Sequence, residues 1–180
     1  MKDLLTLVAV AGMTVPVLAQ TAPPAEPCLH FQTSFSVVIH APYAETAPLF
    51  GPIAERVWVG EFWNPKFIYP QPPQDVQGAV FTTSDGKLTT AWVNTLFDLK
   101  ARHIHYVHIL PEMELATIDL RFSSIDSATT QVDAVFTRTA LNPQGNEHVT
   151  RMSDEDKVRG EKWRQAIGNY LAGLKSGQPD

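Results

Sequence analysis

The segment RHIHYVHI, residues 102–109, carries His103, His105 and His108, half of the six histidines in a chain of 180 residues. Imidazoles ligate metals, move protons near neutral pH and exchange hydrogen bonds, so the run raises a question of chemistry. In a strand, successive side chains point to opposite faces. His103 and His105 then share a face with Val107 and Ile109, and His108 shares the other with Ile104, Tyr106 and Leu110. Downstream, Ile118, Leu120 and Phe122 alternate with Thr117, Asp119 and Arg121. If Pro111-Glu112 and its neighbours form a hairpin turn, the two apolar sets join, and His103 and His105 point outward. As an H-x-H pair these two are candidate metal ligands, but two imidazoles are an incomplete zinc site and a third ligand has to come from elsewhere. The competing reading is a pair of solvated surface histidines. His108 faces inward, either as a polar group in a pocket or as a core histidine satisfied by a hydrogen bond.

Glu55 and Arg56 are the other charged candidates, able to hold a ligand headgroup, with Glu55 also a possible base. A salt-bridged helix surface is the simpler explanation of the pair. Trp58, Trp63, Tyr69, Phe81, Trp92, Tyr106, Phe122, Phe136 and Trp163 are candidate pocket liners, with Asn94 a polar anchor among them; plain core packing is the alternative for each. No nucleophile triad, Gly-rich phosphate loop or Cys/His metal set is present, Ser123-Ser124 has no His at a useful spacing, and no cofactor is expected.

The elements that must position these residues follow from periodicity. Phe35 to His40 reads as a first strand, ended by Ala41-Pro42. YAETAPLFGPIAERVW is helical in composition but interrupted at Pro48, Gly51 and Pro52, which predicts two short helices in a kinked pair. VGEFWNPKFIYPQPPQDV, rich in aromatics and prolines, predicts one short edge strand and a loop. Five strand-like runs follow: GAVFTT, LTTAWVNTLFD, ARHIHYVHIL, LATIDLRFSS and QVDAVFTRTAL. Asp85-Gly86 between the first two is a strong hairpin signal. From Trp163 the apolar positions Ile167, Tyr170, Leu171 and Leu174 fall on one helical face, which predicts a helix over about 154–174, with Ser153 and Asp156 resembling a capping box. The order is α+β. An antiparallel sheet with one apolar face has to be covered, and the terminal helix is the only element long enough.

The ends and the composition set further bounds. MKDLLTLVAVAGMTVPVLAQ predicts a secretory signal peptide, residues 1–19, cut after Ala19. Its apolar run is shorter than the roughly 20 residues of a membrane span, so stable membrane insertion after cleavage is not expected. Residues 20–34 read as a Pro-rich linker, 35–175 as one domain and 176–180 as a tail. The expected localisation is periplasmic or secreted. The lone cysteine, Cys28, permits no internal disulfide, so the hydrophobic core has to hold the fold. The formal net charge of −5, without a Lys/Arg run, offers no electrostatic footing for nucleic acid.

The order of elements resembles the helix-grip fold of the START-like superfamily, also called SRPBCC, which includes pollen-allergen-like proteins, lipid-transfer START domains and polyketide cyclases. LFGPIAERVWVGEFWNPKFIYP, GAVFTT, TTAWVNTLFD and AVFTRTALNPQGN are similar in type and order to a bacterial branch of it. Glu55-Arg56…Trp58 and the Leu141-Asn142…Gly145-Asn146 turn are the most specific parts. Where that branch carries Gly-Trp ahead of Asp/Asn-Pro, this chain has Glu61-Phe62-Trp63. The resemblance implies a curved antiparallel sheet of about six or seven strands around a long C-terminal helix, with a cavity for an apolar or amphipathic small molecule. It does not imply one chemistry. Three functions therefore stand open: a binder of a hydrophobic or amphipathic small molecule, lipids included; a cyclase or dehydrase-type enzyme using His108 or Glu55; and a structural or interaction module with a filled core. A structure with no pocket above about 300 Å³ would exclude ligand binding and leave the last.

Overall fold

A computed structural model describes residues 26–177. Residues 1–25, which include the expected signal peptide and the start of the Pro-rich lead-in, and residues 178–180 lie outside the described residues.

One sheet of seven antiparallel strands forms the body: β1 (His30–Ile39), β2 (Lys66–Tyr69), β3 (Val80–Ser84), β4 (Thr89–Asp98), β5 (His103–Leu110), β6 (Glu114–Asp126) and β7 (Thr129–Ala140), in the spatial order β1-β7-β6-β5-β4-β3-β2. Strands β2 to β7 form a meander, and β1 closes the far side against β7. Turn chemistry sets the registers. Gly86 takes φ 88° in the β3–β4 turn, a region glycine enters without steric penalty. Asp85 Oδ1 there accepts from the Lys87 and Leu88 N–H groups, each at 2.8 Å. Asp98 plays the same part before β5, accepting from Lys100 and Ala101 at 2.9 Å.

Alternation along the strands gives the sheet an apolar inner face. Ile104, Tyr106, His108 and Leu110 are the buried set of β5, and Ala116, Leu120 and Phe122 continue it on β6. Two cross-strand rows on this face matter for the site: Trp92–His108–Ala116–Arg138 and Asn94–Tyr106–Ile118–Phe136.

Between β1 and β2 the chain makes α1 (Tyr43–Thr46), a 3₁₀ turn (Ala47–Phe50) and α2 (Arg56–Val59). At the other end come α3 (Asn146–Lys157) and α4 (Arg159–Ser176), which pack over β1 and β7. Ile167 and Leu171 of α4 are buried against the sheet. The close approach of α4 to β1 needs Gly160, because a Cβ there would lie 2.7 Å from a Phe35 ring carbon. Seven strands, two short helices after the first and a long terminal helix over a curved sheet make this a helix-grip fold.

Three expectations change. The first strand starts at His30, not Phe35, so residues 30–34 pair with β7 instead of forming linker; HFQTS carries too little apolar bulk for composition to mark it. The terminal helix is two helices broken at Val158 (φ −108°, ψ 0°). Ser153 and Asp156 form no capping box: they lie within α3, where Ser153 meets Thr33 and Asp156 binds Arg138 and Arg159. The helical segment begins instead at Asn142, whose side chain accepts from the Gly145 N–H at 3.1 Å.

Candidate functional site

The loop before α2 determines where Glu55 sits. Asp75 Oδ1 accepts from the Ile53 N–H at 2.8 Å and its Oδ2 from Ala54 at 3.3 Å. Gly51 is needed for this contact, since a Cβ there would fall 2.3 Å from Asp75 Oδ2. Arg56 turns outward and donates to the Pro65 carbonyl at 2.7 Å. Glu55 and Trp58 then face the space between the sheet and α4.

That space is a cavity of about 130 Å³, lined by Glu55, Trp58, Val59, Trp63, Trp92, Tyr106, Ile118, Leu120, Phe136, Arg159 and Trp163. All four tryptophans of the chain line it. Three of the indoles are tied by their N–H groups: Trp58 to the Leu49 carbonyl (2.7 Å), Trp63 to the Pro52 carbonyl (2.8 Å) and Trp92 to Thr83 Oγ1 (2.9 Å). Trp58 meets Trp163 at 78° and Trp63 meets Trp92 at 84°, edge to face. Hydrogen bonds thus hold three of the four indoles in place.

Two charged groups reach the cavity. Arg159 is committed, its Nε 2.9 Å from Asp156 Oδ1. Asp156 also takes two bonds from Arg138, at 2.6 and 3.0 Å, and Arg138 donates a third to Glu114 at 2.6 Å. Glu55 differs: no donor among the described residues binds its carboxylate. Its residue retains partial exposure, but protein packs closely around the carboxyl. That packing, reinforced by Asp75 and only partly offset by Arg159, holds Glu55 well above the ordinary carboxylate range. Tyr106, whose hydroxyl donates to the Phe50 carbonyl, is likewise raised by burial, then by Glu55 and Asp75.

The other sequence candidates lie elsewhere. His108 is buried beside the cavity, stacked on Trp92 and not lining the space. Burial pushes its pKa down to about 4, and neither ring nitrogen has a hydrogen-bond partner among the described residues. Asn94 is fully buried, its Nδ2 donating to the Val76 carbonyl at 3.2 Å and its Oδ1 unpaired. Phe81 is stacked between Phe67 and Trp92. Phe122 packs against Phe50 and Tyr43, outside the cavity. Tyr69 corrects an expectation: it is 59% exposed, because a register shift between Phe67 and Tyr69 on edge strand β2 puts Phe67 over Phe81 instead.

His103 and His105 lie on the outer face, half-buried. His103 Nε2 is 2.6 Å from Asp119 Oδ2, and His105 Nδ1 meets Thr95 Oγ1. No group of three His, Cys, Asp or Glu side chains among the described residues is placed to hold a metal. Sequence reasoning missed Val59, Ile118, Leu120 and Arg159 as liners. Arg159 was hidden because the break at Val158, which turns it inward, has no proline or glycine to mark it.

Comparison with solved structures agrees with the architecture. The chain is similar to norcoclaurine synthase from Thalictrum flavum, solved in complex with dopamine and hydroxybenzaldehyde, with a TM-score of 0.57, 10% identity and coverage of 85% of this chain and 90% of that one. It is similar to Ara h 8.0201 with a TM-score of 0.55, 13% identity and coverage of 80% and 99%. A protein from Rhizobium leguminosarum gives 0.56, 13%, 79% and 97%. At these identities the likeness is one of fold alone, the helix-grip fold. No protein-family model and no curated protein matches the chain. Among the described residues no helix is long and apolar enough to cross a membrane.

Proposed function

We propose that the chain binds a small apolar or amphipathic molecule in the cavity between the sheet and α4. The observation that carries this reading is the unpaired Glu55 carboxyl among four indoles. A core built only for packing gains nothing from an acid without a donor, because desolvating it opposes folding. A binding site gains orientation and selectivity from one.

The volume narrows the ligand. At about 130 Å³ the cavity is below the roughly 300 Å³ of ordinary ligand pockets. It is close to the roughly 150 Å³ that accepts one benzene ring. A lipid chain does not fit, so the expected ligand shrinks to one ring or a branched head. By the threshold of about 300 Å³ set from the sequence, this volume counts toward a filled core, which is the competing outcome. Titration with phenol, indole and decanoate, followed by tryptophan emission, tests the choice. Saturable changes with the one-ring or indole probes, absent with decanoate and lost in Ile118→Phe and Ile118→Trp, support the reading. No saturable change with any probe contradicts it, as does unchanged binding in both filled variants.

A second reading, catalysis of cyclase or dehydrase type, draws on the raised pKa of Glu55, a shift in the direction that general acid or base work asks of a carboxyl. It is distinguished by Glu55→Gln, which abolishes turnover while leaving a bound substrate in place. Export rests on residues 1–19 alone. The mass of the protein isolated from its source reports it, with an N-terminus at Gln20 as the expected result and an intact Met1 as the contrary one.

A further inference from the structure

We infer that the cavity is selective for a small organic cation, an ammonium centre carrying apolar substituents. The inference rests on the reading that the cavity binds a ligand, and adds the charge of that ligand. Aromatic faces carry negative quadrupole potential, and indole attracts a cation more strongly than phenol or benzene rings do. Four indoles line one small cavity; Trp92 is stacked between Phe81 and His108, so any ring face offered to a cation belongs to Trp58, Trp63 or Trp163, of which Trp58 and Trp163 meet at 78°.

The charges agree in sign. Around the site stand the carboxylates of Glu55, Asp75, Glu114 and Asp156 and the guanidinium groups of Arg56, Arg138 and Arg159. The Glu55 carboxyl, held well above the ordinary carboxylate range, becomes a negative charge on the wall when a cation beside it favours loss of its proton. Asp156 and Glu114 are bound by arginine, and Asp75 accepts two backbone N–H groups. Glu55 alone has no donor among the described residues. Arg159, the one cation on the wall, is held by Asp156 and lies over the Phe136 ring, 5.3 Å from its centroid. Its charge is therefore spoken for. A neutral ligand leaves the Glu55 carboxyl without a donor, whereas a cation of trimethylammonium size would pair with its carboxylate and lie against the indoles of Trp58, Trp63 and Trp163.

Choline and 3,3-dimethylbutan-1-ol test the charge directly, because they have nearly the same shape and differ by replacement of N⁺ with carbon. Binding to the full folded chain and to Glu55→Gln is measured by calorimetry, with circular dichroism confirming the fold of each. The expected result is saturable choline binding, at least tenfold tighter than the alcohol in the wild type. Glu55→Gln should weaken choline by tenfold or more and leave the alcohol unchanged. Equal affinity for the two compounds overturns the cation inference while leaving cavity binding intact. Choline binding that is unaffected in Glu55→Gln also overturns it. Failure of both compounds overturns it too, and phenol then separates the cases: phenol binding preserves the cavity reading, and its absence removes that reading as well.

Discussion

The His108 imidazole lies flat on the Trp92 indole, with ring centroids 4.2 Å apart and planes 12° from parallel, and neither of its nitrogens has a hydrogen-bond partner among the described residues. Stacking of this kind suits a neutral ring, and burial lowers the pKa from 6.5 to about 4. Glu114 and Asp156 favour the proton, while Arg138 and His148 oppose it.

The lowered pKa has a signed consequence for stability. Between pH 6.5 and about 4 the unfolded chain binds a proton at His108 that the folded chain does not, so stability falls as pH drops through that window. The span corresponds to about 3 kcal/mol as an order of magnitude. His108→Phe keeps the stack and removes the titration. Denaturant unfolding at pH 7 and pH 4 should show a smaller acid loss in His108→Phe than in the wild type. Equal losses would contradict the assignment.

Glu55 behaves in the opposite sense. Its folded pKa is raised, so the stability linked to its proton is full below the unfolded value of 4.5 and is lost as pH rises through the folded value. As pH rises through the folded value, the partly exposed Glu55 carboxyl loses its proton with no donor among the described residues to receive the charge. Glu55→Gln should melt at a higher temperature than the wild type at pH 8, with the difference shrinking toward pH 4. A lower melting temperature for the variant at pH 8 would show that the carboxylate is satisfied by a partner.

The Arg138–Asp156 pair joins β7 to α3, and Arg159 ties α4 to the same carboxylate. Both members of the pair are almost wholly buried. Breaking a buried pair leaves an uncompensated charge, typically at a cost of about 3–5 kcal/mol. Asp156→Ala should lose stability of that order in denaturant unfolding, whereas Lys157→Ala, whose exposed pair with Asp154 is at the surface, should change it by less than about 1 kcal/mol. Similar losses in the two variants would contradict the role given to Asp156.

Much of the fold was legible because its signals are local. Alternation in HIHYVHIL assigned Ile104, Tyr106 and His108 to the inner face, and Asp85-Gly86 marked its hairpin. The N-terminal half of the helical segment was not legible for a physical reason. The inward positions of α3, Asn146, Val149, Ser153 and Asp156, are mostly polar, so they give no apolar stripe, and their partners Arg138 and Thr33 lie far away in sequence. The site was half legible. Aromatic content pointed to Trp58, Trp63, Trp92 and Trp163, but Tyr69 and Phe81 could not be separated from them without the register shift in β2. Arg159 needed the helix break, and the unpaired state of Glu55 is a tertiary property that no spacing encodes.

The central claim is that the four tryptophans enclose a site for a small molecule. Their indole N–H groups give a complete set of reporters, because the chain has no other tryptophan. The deciding measurement is a ¹H–¹⁵N spectrum of these four signals, assigned by single Trp→Phe variants, during titration with phenol and with choline. The account predicts that the indole signals shift saturably with at least one probe, share one dissociation constant, and lose that response in Ile118→Phe. Indole signals that stay in place with both probes, in a protein that remains folded, would contradict it.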